Sequence, residues 1–393
     1  VRDHHTHYIE RASMQRFRFL LLLVLALPWA GYSQGKFSGI VFGDYFYNAA
    51  RDSNFSKSGL SNAATGGPKS NQGFVIRRIN FSYDYDIAEN FATRFRLEAD
   101  ASGGPNGDVD LSHKLTVYVK DAWLRWKKAF GSNDLIFGIQ PTPAFDVSES
   151  AWSYRSLEKT IMDLRGIVPS RGLGIGLRGN FDEGGTVSYW LLVSNQGNGS
   201  VPKDLGSTLS NGDKYNSYGL QIQIKPSKEF LVTVYGDYRP TYPVNDITST
   251  TVPKATVAHQ TITGAAFACY TQPDKFAIGL EGFTQMTANS YALPSDPTTL
   301  KSLSRLGVSV WAWVNFDPTI SGIARFDMFD PIMGSDDLEK GDSRNYILVG
   351  LAFKPTKQFQ LMPNVQVETY ESVPNGPSFD TSITGRLTFA YSF

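Results

Sequence analysis

The chain has 393 residues, 37 basic and 37 acidic, and a formal net charge of zero, so its charge balance offers no basic surface for nucleic acid. Hydrophobic residues make up 41%, too few for a bundle of membrane-spanning helices, while aromatics reach 13%. The single cysteine, Cys269, excludes an internal disulfide framework and a cysteine-based metal cluster.

The N-terminal region reads as an export signal. Met14 opens MQRFRFLLLLVLALPWAGYSQ, with Arg16 and Arg18 ahead of the apolar run 19–27 and small residues at Gly31 and Ser33. This is the layout of a secretory signal peptide cut near Ser33, with Met14 as the expected start and residues 1–13 as an upstream extension. The apolar run is too short to span a bilayer, and no other stretch reaches the roughly 18 apolar residues that a spanning helix needs. Residues 1–33 hold four basic residues (Arg2, Arg11, Arg16, Arg18) and two acidic ones (Asp3, Glu10), which leaves residues 34–393 at net −2 as one domain.

After the signal, segments alternate between apolar and polar residues with a period of two, the mark of a strand with two different faces. Strands are predicted near 36–48, 74–86, 91–100, 115–127, 134–140, 172–180, 186–195 and 215–225. Eight more follow near 230–239, 259–271, 275–287, 304–316, 320–329, 344–354, 359–371 and 379–393, about sixteen in all. In the third, Phe91, Phe95 and Leu97 share one face while Arg94, Arg96, Glu98 and Asp100 share the other. Four charges on one face would be ruinous in a dry core but suit a water-filled lumen. Tight connections alternate with long ones at 49–73, 101–114, 141–171, 196–214, 240–258, 288–303, 330–343 and 372–378. The expectation is an all-β, transmembrane antiparallel barrel with short periplasmic turns and long external loops. Sixteen strands would leave an aqueous channel.

The last stretch, FDTSITGRLTFAYSF at 379–393, sets Ile383, Gly385, Leu387, Phe389, Tyr391 and Phe393 toward lipid and Arg386 toward the lumen. It is expected to pair with the first strand and close the barrel; its ending resembles the C-terminal strand of bacterial outer-membrane barrels, which implies that Phe393 is read by a barrel-assembly machinery.

Two features of the sequence bear on chemistry. Gly174, Gly176 and Gly179 spell G-x-G-x-x-G, but inside an alternating strand rather than between a strand and a helix, so close packing outweighs a nucleotide site. His113 and His259 are the only histidines after residue 33, and neither has a partner at metal spacing or a nearby nucleophile motif. The rival to a pore is a lipase- or esterase-like barrel enzyme using one of these histidines, and a second rival is a non-conducting structural or adhesion barrel. The pore reading calls for no catalytic residue, cofactor or metal.

The long segment 141–171 carries Trp152, Tyr154, Arg155, Lys159, Arg165 and Arg171, with Leu157, Ile161 and Leu164 at roughly helical spacing. Apolar content in so long a loop predicts that it folds into the lumen as a constriction bearing Arg155, Lys159, Arg165 and Arg171, the alternative being a packed external cap. Arg78, Arg94, Arg96, Arg125, Arg305, Arg325 and Arg386 fall on the inferred lumen face. They either select anions or are neutralised by Asp84, Glu98, Asp100, Asp121, Glu281, Asp327 and Glu368.

Several stretches together resemble the phosphate-selective porin O and P family. They are FVIRRINFSYDYDIAENFATRFRLEAD at 74–100, KDAWLRW at 120–126, residues 137–143, residues 154–179 with SRGLGIGLRG, and IARFDMFD at 323–330. The resemblance implies a trimeric outer-membrane porin in lipid and lipopolysaccharide, conducting small anionic solutes. Arg94, Arg96 and Arg325 would then be wall cations, with Arg155, Arg165 and Arg171 near the constriction. Net −2 departs from the lysine and arginine excess of the family's phosphate-binding members.

Overall fold

Every predicted strand is present, and the ladder closes on itself. The computed structural model describes residues 35–52, 68–100, 115–196, 215–245, 256–293, 296–334, 343–371 and 379–393. The expected signal segment and His113 lie outside them, as do the middles of most long connections. In chain order the strands are β1 Lys36–Ala50, β2 Gln72–Ala88, β3 Phe91–Asp100, β4 Thr116–Phe130, β5 Asn133–Pro141, β6 Arg171–Asn180, β7 Val187–Asn195 and β8 Asn216–Ile224. Then come β9 Phe230–Asn245, β10 Thr256–Gln272, β11 Phe276–Leu293, β12 Asp296–Asn315, β13 Ile320–Asp330, β14 Arg344–Phe353, β15 Phe359–Tyr370 and β16 Ser382–Ser392. Each pairs with its sequence neighbours, and antiparallel pairing of β1 with β16 makes a closed sixteen-stranded barrel.

The period of two sorts side chains between two solvents. Leu280, Met328 and Val349 point outward and are 53%, 54% and 55% exposed, and such residues recur around the wall. So extensive an apolar exterior suits lipid and not water. The short turns gather at one rim. Asp317 builds its turn by accepting the Thr319 and Ile320 backbone amides at 2.6 and 2.9 Å, and Asp182 accepts those of Thr186 and Val187 at 2.9 and 2.7 Å. Aromatics cluster beside these turns, among them Phe37 against Tyr83 (4.7 Å between centroids), Phe91 against Trp126 (5.6 Å) and Tyr270 against Phe276 (6.0 Å). This is the position of an interfacial girdle.

One long loop is corrected. Residues 288–303 were expected to form an external connection, but β11 runs on to Leu293 and β12 starts at Asp296, with Tyr291 paired to Lys301. The ladder continues through a stretch that Pro294, Ser295 and Pro297 make read as a loop.

Residues 142–170 turn into the barrel. They carry two short helices, α1 Asp146–Trp152 and α2 Ile161–Leu164. Trp152, Leu157, Ile161 and Met162 are completely buried, each burial being worth about 1.5–3 kcal/mol. Trp152, Tyr154 and Leu157 pack on Phe267, Trp311, Ile323, Tyr346, Leu348 and Met362 of the inner wall. Phe145, Ile161, Met162 and Ile167 pack on Tyr235, Phe283 and Phe329. A dry core therefore fills the side of the lumen lined by β9–β15.

The helical spacing at Leu157, Ile161 and Leu164 is only partly realised, because residues 153–160 are not helical. Their carbonyls have other partners. Arg77 donates to the Ser156 carbonyl, Arg386 to that of Leu157 at 3.5 Å, Trp152 Nε1 to that of Glu158 at 2.9 Å, and Arg325 to that of Lys159. Four successive carbonyls are thus satisfied by side chains, three of them from the wall, in place of helical amides.

Candidate functional site

The loop has two sides. Its apolar side meets the core just described, and its charged side faces β2–β4 and the start of β6 across a passage of about 730 Å³. Wall residues Arg78, Asn80, Arg96, Glu98, Tyr118, Lys120 and Arg171 line it, with Glu149, Arg155, Lys159 and Asp163 opposite. The lining continues to Lys357 and Gln358 in the β14–β15 turn, so the space reaches the short-turn rim.

Two β-bulges shape the wall. The β1–β2 register jumps from Phe42↔Arg78 to Gly43↔Ile76, leaving Arg77 as the extra residue. The β3–β4 register jumps from Arg96↔Asp121 to Leu97↔Val119, leaving Lys120 extra. A bulge sends two consecutive side chains to the same face. Arg77 therefore points inward beside Arg78, and Lys120 beside Asp121. Strict alternation would have placed both Arg77 and Lys120 in lipid, which is why they were missed. Arg178 and Arg239 were missed as well. Arg239 sits within β9, bonded to Asp237 at 3.2 Å and to the Ile167 carbonyl at 3.1 Å.

The charges along the passage share partners. Glu98 is held by Arg78 at 3.4 Å, Lys120 at 3.1 Å and the Tyr118 hydroxyl at 2.5 Å. Asp121, fully buried behind the lining, is held by Arg96 at 3.3 Å and Arg171 at 2.5 Å. Arg155 bridges Glu149 at 2.5 Å and Asp163 at 3.0 Å, and Lys159 reaches Asp163 at 3.7 Å. Among the described residues the lining has eight cations, adding Arg239 and Lys357, against the carboxylates Glu98, Glu149 and Asp163. Counting the buried Asp121 and Asp237 as partners still leaves cations in excess.

Loop carboxylates respond unequally. Burial raises Asp163, but Lys159 and Arg155 outweigh it and bring the carboxyl down to about 2. Burial likewise raises Glu158, but Arg386 and Arg77 draw it down to about 2. For Glu149 burial prevails over Arg155, and its carboxyl is raised above the ordinary 4.5.

The predicted cations divide into groups. Arg78, Arg96, Arg155, Lys159 and Arg171 border the passage. Arg94 is paired with Asp84 at 2.7 Å, and Arg125 is paired with Asp134 beside a second cavity. Arg305 donates to Gln285 at 3.3 Å, and Arg165 is bound to Glu368 at 2.7 Å. Arg325 and Arg386 are buried: Arg325 pairs with Asp327 at 2.5 Å, and Arg386 with Glu158 at 3.3 Å. These two fasten the loop and do not border the passage.

The glycine motif is a packing device. Gly174 lies in β6 where a Cβ would overlap the Val193 carbonyl, and Gly176 faces the buried Gln140. His259 lies in β10 with Nδ1 2.8 Å from the Ala288 carbonyl. Among the described residues no group of three His, Cys, Asp or Glu could hold a metal.

No protein-family model matches the chain, and no curated protein does. Solved structures do. The anion-selective porin from Comamonas acidovorans is 12% identical, with 92% of this chain and 100% of that one covered at a TM-score of 0.57. The outer membrane channel DcaP of Acinetobacter baumannii is 14% identical, with 92% and 98% covered at 0.59. OmpT of Vibrio cholerae in its trimer form is 12% identical, with 92% and 100% covered at 0.55. Over nine-tenths of its length, the chain has the closed antiparallel barrel fold of these outer-membrane proteins.

Proposed function

We propose that the protein is an outer-membrane porin through which small hydrophilic solutes diffuse, with a preference for anions and without chemistry on them. The observation that carries this reading is the passage between the loop and β2–β4, where cations outnumber carboxylates although the whole chain is neutral. Fixed guanidinium and ammonium groups favour anions at a narrowing. The fold shared with a porin described as anion-selective supports the same reading. Phosphate among the anions, with membership of the phosphate-selective porin O and P family, rests on the stretches quoted above. Homotrimeric assembly draws support from the trimeric form of OmpT.

Purified protein in planar bilayers tests this directly. Stable conductance steps, and a reversal potential of anion-selective sign in a salt gradient, are the expected result. Absence of steps would overturn the pore, and a cation-selective potential would overturn the assignment of the lining.

A further inference from the structure

A second cavity, of about 360 Å³, lies on the other side of α1 from the passage, bounded by β4–β8. Not all of its charges close ion pairs. Arg125 is consumed by Asp134, but Arg178 and Asp146 both line the space and neither takes part in an ion pair or side-chain hydrogen bond among the described residues. Arg178 is held in place: its Cζ lies 3.4 Å from the centroid of the Trp190 ring. Stacking fixes the plane of the guanidinium and leaves its edge for a planar acceptor such as a carboxylate. Asp146 enters from the first turn of α1. Gln223 adds an amide group to the lining, as does Gln221, whose nitrogen donates to the Pro143 carbonyl.

We propose that this cavity is a binding subsite for small zwitterionic solutes of the amino-acid class, with the carboxylate on Arg178 and the ammonium on Asp146. A simple anion would satisfy Arg178 but meet Asp146 as a like charge, and a simple cation would do the reverse. A molecule carrying both charges answers both residues. The volume is in the range of small-molecule sites. The proposal rests on the reading of the barrel as a diffusion pore, since the solute must enter the lumen.

Binding is measured on the full-length protein in detergent by saturation-transfer NMR, which requires no conductance and so separates this proposal from the pore reading. The probes are L-alanine, propionate and ethylamine. L-Alanine is expected to bind about tenfold more tightly than either single-charge probe, with Arg178→Gln and Asp146→Asn each weakening it about tenfold. Asp146 lies in the loop rather than the wall, so its variant keeps the test informative if Arg178→Gln fails to fold. Equal binding of propionate and L-alanine, no binding of L-alanine, or an unchanged affinity in a folded Asp146→Asn variant would each overturn the proposal.

Discussion

The ring of Phe393 lies over the bare Cα of Gly39, so close that a Cβ on Gly39 would overlap it. The same two residues exchange backbone hydrogen bonds, Gly39 N–H to Phe393 at 2.9 Å and Phe393 N–H to Gly39 at 3.1 Å. The seam between β1 and β16 is thus completed at its short-turn end by a glycine that admits an aromatic lid. Gly39→Val should overpack this joint and destabilise the folded barrel by about 1–3 kcal/mol. Urea titration with gel-shift detection of the folded form measures this, and an unchanged midpoint would show that the ring can move aside at no cost.

Loop anchoring should be separable from barrel formation. Trp152→Ala removes a fully buried ring that packs 5.3 Å from Trp311 and donates to the Glu158 carbonyl. The loss should be about 3–5 kcal/mol, borne by the loop while the ladder persists. Single-channel conductance should rise because the constriction loosens; an unaltered conductance in a folded variant would show that the loop is held without it.

Passage cations and buried cations should behave differently. Lys120→Met removes a lining charge and leaves Arg78 to hold Glu98. The anion-to-cation permeability ratio should fall by about twofold, the scale of a screened charge. Arg325→Met strips Asp327 of its partner in a buried pair, which should cost about 3–5 kcal/mol of stability. Reversal potentials and denaturation midpoints on both variants check the contrast, which fails if Arg325→Met shifts selectivity while stability is unchanged.

Acidification should act in two stages. Glu149, raised by burial, protonates before Asp163 and Glu158 as pH falls from 7. Its ionised form costs stability, so protonation relieves that cost and removes one negative charge from the lining; anion preference should increase before the ordinary value of 4.5 is reached. Asp163 and Glu158 are lowered to about 2. Their contribution is complete above the ordinary carboxylate range and disappears as pH falls toward 2, where conductance should become larger and noisier. Reversal potential and current noise recorded from pH 7 to about 2 test both stages, and Glu149→Gln should abolish the first.

The barrel was legible because lipid on one side and water on the other imprint a period of two on each strand, as at Arg325 and Asp327 inward against Phe326 and Met328 outward. The site was legible only where that period holds. At Arg77 and Lys120 a bulge adds a residue, and no local signal distinguishes a lipid-facing lysine from an inward one. The loop was readable as inward from its apolar content but not in conformation. Its helical spacing at Leu157 and Ile161 competes with three wall arginines from β2, β13 and β16, residues remote in the chain.

Because the loop lies against one half of the wall, the two halves of the lumen answer to different rules of substitution. Inward positions on β9–β15, such as Phe267, Leu348 and Met362, are bound by volume and shape as in the interior of a water-soluble enzyme. Inward positions on β2–β4 that border the passage, such as Asn80 and Arg96, can change size more freely provided the balance of charge is kept. A library that varies only the second group should therefore yield barrels of altered permeability with nearly uniform folding, while the same diversity in the first group should yield mostly unfolded chains.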